Sequence, residues 1–143
     1  MESKETLVEV ELRWLERLRT QSIVRNFDPI YMDDKKKGDN TAPSPIEMFL
    51  SSIGSCLVMS FVYCTYVSRI DLNPDDIRVK VVGKIKRVND RLRLTEVHAE
   101  FIVRGKDKTV KIQKCFEKFQ PFCILSESIK SKIPFSCNLK LVE

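Results

Sequence analysis

Five cysteines are the residues of this sequence best suited to covalent chemistry: Cys56, Cys64, Cys115, Cys123 and Cys137. A cysteine thiolate is a strong nucleophile, a metal ligand and a redox group. No two of these cysteines have the CxxC spacing typical of zinc and thioredoxin-like sites. The single histidine, His98, weakens any Cys–His hydrolase or histidine-rich metal site. Nucleotide-binding glycine motifs and the GxSxG motif are also missing.

The surroundings of the cysteines divide them into two groups. Cys64, Cys115 and Cys137 lie on apolar stripes, where a free cysteine usually packs as a small hydrophobic residue. Cys123 follows Pro121 in a predicted first helical turn, where unpaired N–H groups and the helix dipole favour a thiolate. Cys56 ends a run of small residues that permits close approach of another segment. We therefore keep both a functional and a plain core interpretation open for Cys56 and Cys123.

A long uncharged segment carries Cys56. Residues 48–68 contain no charged side chain, and Ser44, Pro45 and Glu47 have the spacing of a helix N-cap, first helical residue and capping box. This predicts a helix over residues 45–68. Its length requires a transmembrane test, but five serines lower its hydrophobicity and no second span follows. We expect a buried helix instead, covered by a second copy of the chain in a shared dimer core.

The remaining elements predict an α+β protein. Alternating residues indicate a half-buried strand over 6–15, with Val8, Val10, Leu12 and Trp14 on its apolar side. One or two further strands follow over 21–32, broken at Asp28-Pro29. A hairpin over 77–88 and 91–104 turns at Asn89-Asp90, with a bulge near Thr95-Glu96, and places His98 on its outward face. A helix with Ile112, Cys115, Phe116 and Phe119, a second with Leu125, Ile129 and Ile133, and a strand over 135–141 complete the order.

Length and charge exclude several classes. A chain of 143 residues with 43% hydrophobic residues predicts one globular domain, residues 1–143. The net charge of +5 is scattered, which is atypical of nucleic-acid binders. The one dense cluster of positive charge, Lys35-Lys36-Lys37, indicates a solvated loop rather than a phosphate-binding site. The thiols and a charged start without an apolar run lead us to expect a cytoplasmic protein without a membrane partner.

Two segments resemble known motifs. Residues 42–56, APSPIEMFLSSIGSC, resemble the [PS]-x-E-[LM]-[LF]-L-[AS]-[AS]-[LI]-[AG]-[GS]-C signature of the OsmC/Ohr family of osmotically inducible and organic hydroperoxide resistance proteins. Residues 120–125, QPFCIL, are similar to its looser second motif. The resemblance implies an OsmC-like α+β fold, with antiparallel sheets around a long buried central helix in an intertwined homodimer.

The same resemblance implies a function and its residues. It implies a peroxidase that reduces organic hydroperoxides, with Cys56 as the peroxidatic and Cys123 as the resolving cysteine, regenerated by an unidentified dithiol reductant. No cofactor is implied for such a peroxidase, since sulfur does the chemistry. Family peroxidases also use a glutamate before the first cysteine, which points to Glu47. Glu47 lies nine rather than ten residues before Cys56, so a capping role is the alternative. The family arginine has no motif here, and Arg13, Arg19 and Arg25 are candidates.

Two other functions fit the same fold. One is a binding or carrier protein for an apolar small molecule, with cysteines that do not turn over. The other is a structural or regulatory partner protein whose cysteines are inert. Met48, Phe49 and Phe122 are candidates for lining the apolar cleft that the peroxidase would need for the alkyl part of its substrate, although they suit a plain core equally well.

Overall fold

The computed structural model describes residues 4–143, and its contacts divide the chain into two compact units, Met1–Phe49 and Leu50–Glu143. The first unit contains an antiparallel sheet in the order β1-β2-β3, formed by β1 (Glu11–Glu16), β2 (Arg19–Ile23) and β3 (Ile30–Met32). The break predicted at Asp28-Pro29 therefore separates two strands.

The half-burial predicted for the first strand is wrong. β1 is shorter than residues 6–15, and all six of its residues are exposed, including Trp14 at 74%. Val8 and Val10 precede the strand and are exposed as well. Period-two alternation shows that a strand has an apolar face, but it does not show that the same chain supplies a cover for that face.

The second unit contains a sheet in the order β4-β5-β6, formed by β4 (Ile77–Val88), β5 (Arg91–Arg104) and β6 (Phe135–Val142). β4 and β5 are antiparallel, whereas β6 runs parallel to β5. The expectation of purely antiparallel sheets is therefore wrong for this sheet. The helical segment between β5 and β6 is long enough to return the chain to the same end, which a parallel pair requires.

The hairpin agrees with the sequence prediction in detail. Asn89 and Asp90 both have positive φ, 49° and 62°, as a two-residue type I′ turn requires. The register passes from Lys84 opposite Glu96 to Ile85 opposite Leu94, which leaves Thr95 as the extra residue of a bulge. The bulge brings the odd-numbered residues from Val97 onward onto the buried face of β5.

Helix α1 (Pro45–Val67) begins as predicted at a capping box. The Ser44 backbone N–H donates to Glu47 Oε1 at 3.0 Å, and the Glu47 N–H donates to Ser44 Oγ at 3.2 Å. One stripe of the helix is buried, with Ile53, Leu57, Phe61 and Thr65 spaced four residues apart. Burial on all sides is therefore not found within one chain, because only a single face of α1 packs on this unit's sheet.

Two helices connect β5 to β6. Helix α2 (Thr109–Phe119) buries the four predicted residues, and a 3₁₀ turn at Gln120–Phe122 follows at Pro121. Helix α3 (Ile124–Ile129) is shorter than predicted and ends before Ile133. Its most buried residue is Ser126, while Leu125 is 37% exposed, so the predicted stripe through Leu125 is wrong.

The core of the second unit forms where α1 and α2 cover β5. It joins the buried stripe of α1 to the alternate residues Val97, Ala99, Phe101 and Val103 of β5. Phe61 packs edge-on to Phe101 and Phe119, with ring centroids 5.3 and 5.5 Å apart. Such aromatic pairs fix the rotation of a helix as well as its distance, because the rings interlock. This core holds the cysteine-bearing parts of α1 and α2 in place.

Candidate functional site

Cys56 sits in the middle of α1, beside the buried stripe, and its side chain is half-buried. The small residues before it have a packing role. A Cβ atom on Gly54 would lie 2.9 Å from Cγ2 of Val81, so glycine allows β4 to approach α1 closely. Ser60 Oγ donates a hydrogen bond to the Cys56 carbonyl oxygen at 2.9 Å. Close packing and the helix together fix where the Cys56 thiol points.

Cys123 is the N-cap of α3 rather than a residue of its first turn. Its backbone is extended, with φ −79° and ψ 107°, and its carbonyl accepts the Glu127 N–H at 3.1 Å. The 3₁₀ turn at Gln120–Phe122 directs its side chain inward, where it is fully buried. There the Cys123 thiol is a close neighbour of the Cys56 thiol. The tertiary structure thus brings together two cysteines that are 67 positions apart in the sequence.

The electrostatics of Cys123 differ from the sequence expectation. Burial, together with the neighbouring Cys56 thiol, raises the pKa of Cys123 above its ordinary value. Hydrogen bonds from the side chain and backbone of Ser126 act in the opposite direction and lower that pKa. Desolvation therefore outweighs the helix N-terminus, and the prediction of a favoured thiolate at Cys123 is wrong for the reduced protein.

A third thiol adjoins this pair. Cys137 lies on β6 opposite Ala99 and packs against the core, in agreement with its prediction as a core residue. Burial raises the pKa of Cys137 to about 12, with a smaller contribution from Cys123. A thiol with so high a pKa stays protonated at neutral pH, which makes it a poor nucleophile. All five cysteines, which lie within residues 4–143, are free thiols.

Glu47 occupies the first turn of α1, nine residues before Cys56. Hydrogen bonds from the backbone and side chain of Ser44 lower the pKa of Glu47 below its ordinary value. Its carboxylate therefore serves the helix N-terminus. A catalytic part for Glu47 stays a prediction.

The candidate arginines lie in the first unit. Arg13 is exposed beside Glu11, and Arg25 lies over the ring of Phe27. Arg19 is half-buried over the Tyr31 ring, and its Nε is buried without a hydrogen-bond partner among the described residues.

The family follows from a comparison of the sequence with family models. The model described as OsmC-like protein matches residues 38–138, which include Glu47, Cys56 and Cys123. The chain belongs to the OsmC family. No curated protein sequence matches the chain closely enough to count as a relative.

Solved structures agree with the OsmC fold. An OsmC-like protein from Mycoplasma pneumoniae is similar with a TM-score of 0.82 at 15% identity, over 98% of this chain and 100% of the other. An organic hydroperoxide resistance protein from Elizabethkingia anophelis is similar with a TM-score of 0.70 at 15% identity, over 97% of this chain and 100% of the other. An organic hydroperoxide resistance protein, OsmC, from Legionella pneumophila has a TM-score of 0.65 at 13% identity, over 95% of this chain and 99% of the other. At these identities the likeness establishes the fold.

An apolar cavity of about 610 Å³ lies along α1 of this OsmC-family chain, next to the turn that carries Cys123. It is lined by Met59, Ser60, Tyr63, Cys64, Val67, Ser68, Lys118, Phe119 and Phe122. Phe122 is 76% exposed, so it lines this cavity rather than the core. The cavity offers an apolar surface for a small molecule, with one ammonium group, Lys118, at its edge.

His98 lies on the outward face of β5 as predicted, and it is half-buried there. Its ring nitrogens make hydrogen bonds with Ser136 and Asn138 of β6. Throughout residues 4–143, no cluster of three or more His, Cys, Asp or Glu residues has an arrangement that would hold a metal ion. Independently of metals, two neighbouring thiols such as those of Cys56 and Cys123 can lose two electrons and two protons and form a disulfide.

Sequence reasoning missed Ser126. Its hydroxyl and N–H are the groups that favour the charged form of Cys123. The signal was present, because Ser126 follows Cys123 by three residues, the spacing at which a residue at the start of a helix contacts its N-cap. The prediction of this helix depends only on the apolar stripe Leu125, Ile129 and Ile133, so the serine was overlooked.

Proposed function

We propose that this OsmC-family protein is a thiol peroxidase that reduces organic hydroperoxides with Cys56 and Cys123. The single observation that carries the proposal is the proximity of these two thiols, one half-buried and one fully buried. The more accessible Cys56 is suited to meet a peroxide, while Cys123 is placed to trap the product. Two organic hydroperoxide resistance proteins are among the solved structures that share this fold, and this supports the assignment.

The reaction has two steps on the protein. The Cys56 thiolate attacks a peroxide oxygen and the O–O bond breaks, which gives a sulfenic acid on Cys56 and an alkoxide that takes a proton to become an alcohol. Cys123 sulfur then attacks the Cys56 sulfur, the S–O bond breaks, and water leaves with the remaining proton. One hydroperoxide and two thiols thus give one disulfide, one alcohol and one water. A dithiol reductant returns both cysteines to thiols by exchange.

The surroundings of Cys123 suit the second step. In the reduced protein the Cys56 thiol contributes to the raised pKa of Cys123. A neutral sulfenic acid on Cys56 has no thiolate charge to oppose a Cys123 thiolate, whereas the two Ser126 hydrogen bonds remain. Oxidation of Cys56 therefore lowers the barrier to forming the Cys123 thiolate at the moment when it is needed.

A thiol count tests the proposal. One equivalent of cumene hydroperoxide is expected to remove two thiols from the folded protein and to yield a linked Cys56–Cys123 peptide. Cys123→Ser is expected to accumulate a sulfenic acid on Cys56 that dimedone captures, and Cys56→Ser to leave the peroxide unconsumed. Cys137→Ser is the matched control, because it removes a neighbouring thiol and should leave turnover unchanged. Survival of all five thiols in excess peroxide would reject the proposal.

The active form in this proposal is a homodimer that shares its core through α1. Met59, Tyr63, Tyr66 and Val67 of α1 are each between 67% and 71% exposed in the single chain, on a helix without charge after Glu47. α1 is long and apolar enough to cross a membrane by length and composition alone, with 28% of its most apolar window buried. Its serines, and the packing of one face on a sheet, favour a second copy over lipid.

Molecular mass in solution tests the dimer. Light scattering is expected to give about twice the chain mass of 16.7 kDa, and Tyr63→Arg to shift the protein to the monomer. Binding to liposomes without detergent would instead support membrane insertion. A dimer of free-thiol chains fits the cytoplasm, where glutathione and thioredoxin keep cysteines reduced.

The second candidate function is binding or carriage of an apolar small molecule. The specific observation in its favour is the 610 Å³ apolar cavity beside Phe122. Under this function an apolar fluorescent probe would bind and be displaced by ligand, while peroxide would cause no loss of thiols. Phe122→Ala would weaken probe binding, and Cys56→Ser would leave it unchanged.

A further inference from the structure

A second pair of thiols lies further along α1. Cys64 of α1 is a close neighbour of Cys115 of α2, and both line the same small cavity. Ser68, one turn after Cys64, contacts both residues: its Oγ is 3.4 Å from Cys115 Sγ, and its backbone N–H donates to the Cys64 carbonyl oxygen at 3.0 Å. Eight helical residues separate Cys64 from Cys56, a rise of about 12 Å. The second pair is therefore too far from Cys56 to exchange sulfur bonds with it directly, since a disulfide needs contact near 2 Å.

The two thiols differ in access. Cys115 is 2% exposed and sits in the core, as predicted for it, whereas Cys64 is half-buried. Burial raises the pKa of Cys64 to about 11, and the charge of Lys118 acts against that rise. Cys64 is thus the thiol that an external reagent meets first, and Cys115 is the one that can act only after Cys64 has reacted.

A small basic cavity opens onto this pair. It has a volume of about 180 Å³ and is lined by Cys64, Ser68, Lys111, Lys114, Cys115 and Lys118. The three lysines follow one another at i, i+3 and i+7, which places them on one face of α2. None of the six lining residues is acidic, so the cavity attracts small anions and repels small cations.

We propose that Cys64 and Cys115 form a second redox-active dithiol, which a small disulfide carrying carboxylates oxidises to an intramolecular disulfide. The lysines attract the carboxylates and bring the disulfide bond to Cys64. The combination of paired thiols and a purely cationic rim is the basis of this assignment. It does not depend on the peroxidase chemistry, since it uses different cysteines and a different oxidant.

The exchange balances in two steps. The Cys64 thiolate attacks one sulfur of the small disulfide, whose S–S bond breaks to release one thiolate and leave a mixed disulfide on Cys64. Cys115 sulfur then attacks the Cys64 sulfur and displaces the second thiolate. The two protons given up by Cys64 and Cys115 end on the two released thiols. The small disulfide is reduced and the protein dithiol is oxidised by two electrons.

The test uses two small disulfides of opposite charge on the full-length Cys56→Ser/Cys123→Ser variant. At pH 9, 3,3′-dithiodipropionate is expected to produce a Cys64–Cys115 linked peptide at least tenfold faster than cystamine. The Lys111→Gln/Lys114→Gln change should bring the two rates within about twofold, whereas Lys132→Gln, an exposed lysine outside the cavity, should leave the ratio unchanged. Peptide mapping of the wild-type chain repeats the assay without reliance on a variant that must fold.

Three results would overturn the proposal. One is the absence of a Cys64–Cys115 peptide in both the wild-type and variant proteins. Another is equal rates for the anionic and the cationic disulfide. The last is a mixed disulfide on Cys64 that Cys115 never displaces. A peroxide experiment that fails while this one succeeds would remove the peroxidase function and leave the second dithiol in place.

Discussion

The order in which the five thiols react with iodoacetamide follows from their environments. Burial raises the pKa of Cys137 from 9.0 to about 12 and that of Cys64 from 9.0 to about 11. At pH 8 the thiolate fraction therefore falls about 1000-fold for Cys137 and about 100-fold for Cys64, relative to unfolded chain. Higher basicity makes each thiolate more reactive, by about 20-fold and 8-fold at a Brønsted slope near 0.45.

Combining the two factors, we expect iodoacetamide to label Cys137 about 50-fold more slowly in the folded protein than in urea, and Cys64 about 10-fold more slowly. Cys115 and Cys123 are buried and should also be slow. Cys56 is then the first cysteine to be labelled in the folded protein. The assay is timed alkylation of folded and urea-unfolded protein, quenched and read by mass spectrometry of each cysteine peptide.

Two results would refute this reasoning. Cys137 labelled in the folded protein at its urea rate would mean that burial on β6 does not suppress its ionisation. Cys56 labelled more slowly than Cys137 would remove the physical basis for placing the attacking thiol on α1. Cys137→Ser is the control, because it should leave the Cys56 rate unchanged.

Three further predictions concern stability. Phe61→Ala should lower the free energy of unfolding in urea by about 3–5 kcal/mol, because it empties the centre of the aromatic core. A loss of stability no larger than that of Phe61→Leu would contradict this packing. Ser44→Ala should lower the free energy of unfolding by about 1 kcal/mol, because it removes the N-cap of α1, and an unchanged melting temperature in this variant would argue against the cap. Because the pKa of Glu47 is lowered in the folded protein, the stabilisation that the Glu47 carboxylate provides is present above pH 4.5 and is lost as pH falls further. Because the pKa of Cys137 is raised, the folded state keeps a proton that the unfolded chain releases, and the free energy of unfolding should fall between pH 9 and 12. Urea titrations over this pH range should show a smaller fall for Cys137→Ala.

Local physics explains what the sequence determined. The capping box at Ser44 and Glu47, the turn at Asn89-Asp90 and the bulge at Thr95 depend on neighbours within a few positions. Backbone N–H groups at a helix start, and the φ angles of a two-residue turn, select the same residue types in any fold. The α+β class followed from these elements, and the OsmC resemblance followed from a motif that is contiguous along α1.

Tertiary structure decided which groups meet. No local spacing joins Cys56 to Cys123, or Cys64 to Cys115, because the chain between each pair runs through the β4–β5 hairpin. The direction of the Cys123 pKa shift also depended on packing: the helix start was recognised, but the depth of burial that outweighs it was not.

The exposed apolar faces have the same origin. Alternation and helical periodicity mark a face as apolar, yet burial depends on a covering surface that comes from distant sequence or from another molecule. For this reason the sequence pattern predicts burial for one face of β1 and for all sides of α1, whereas β1 and one side of α1 are exposed in the single chain. The pattern of residue types determines the chemical character of each surface, whereas tertiary packing determines which surfaces are paired.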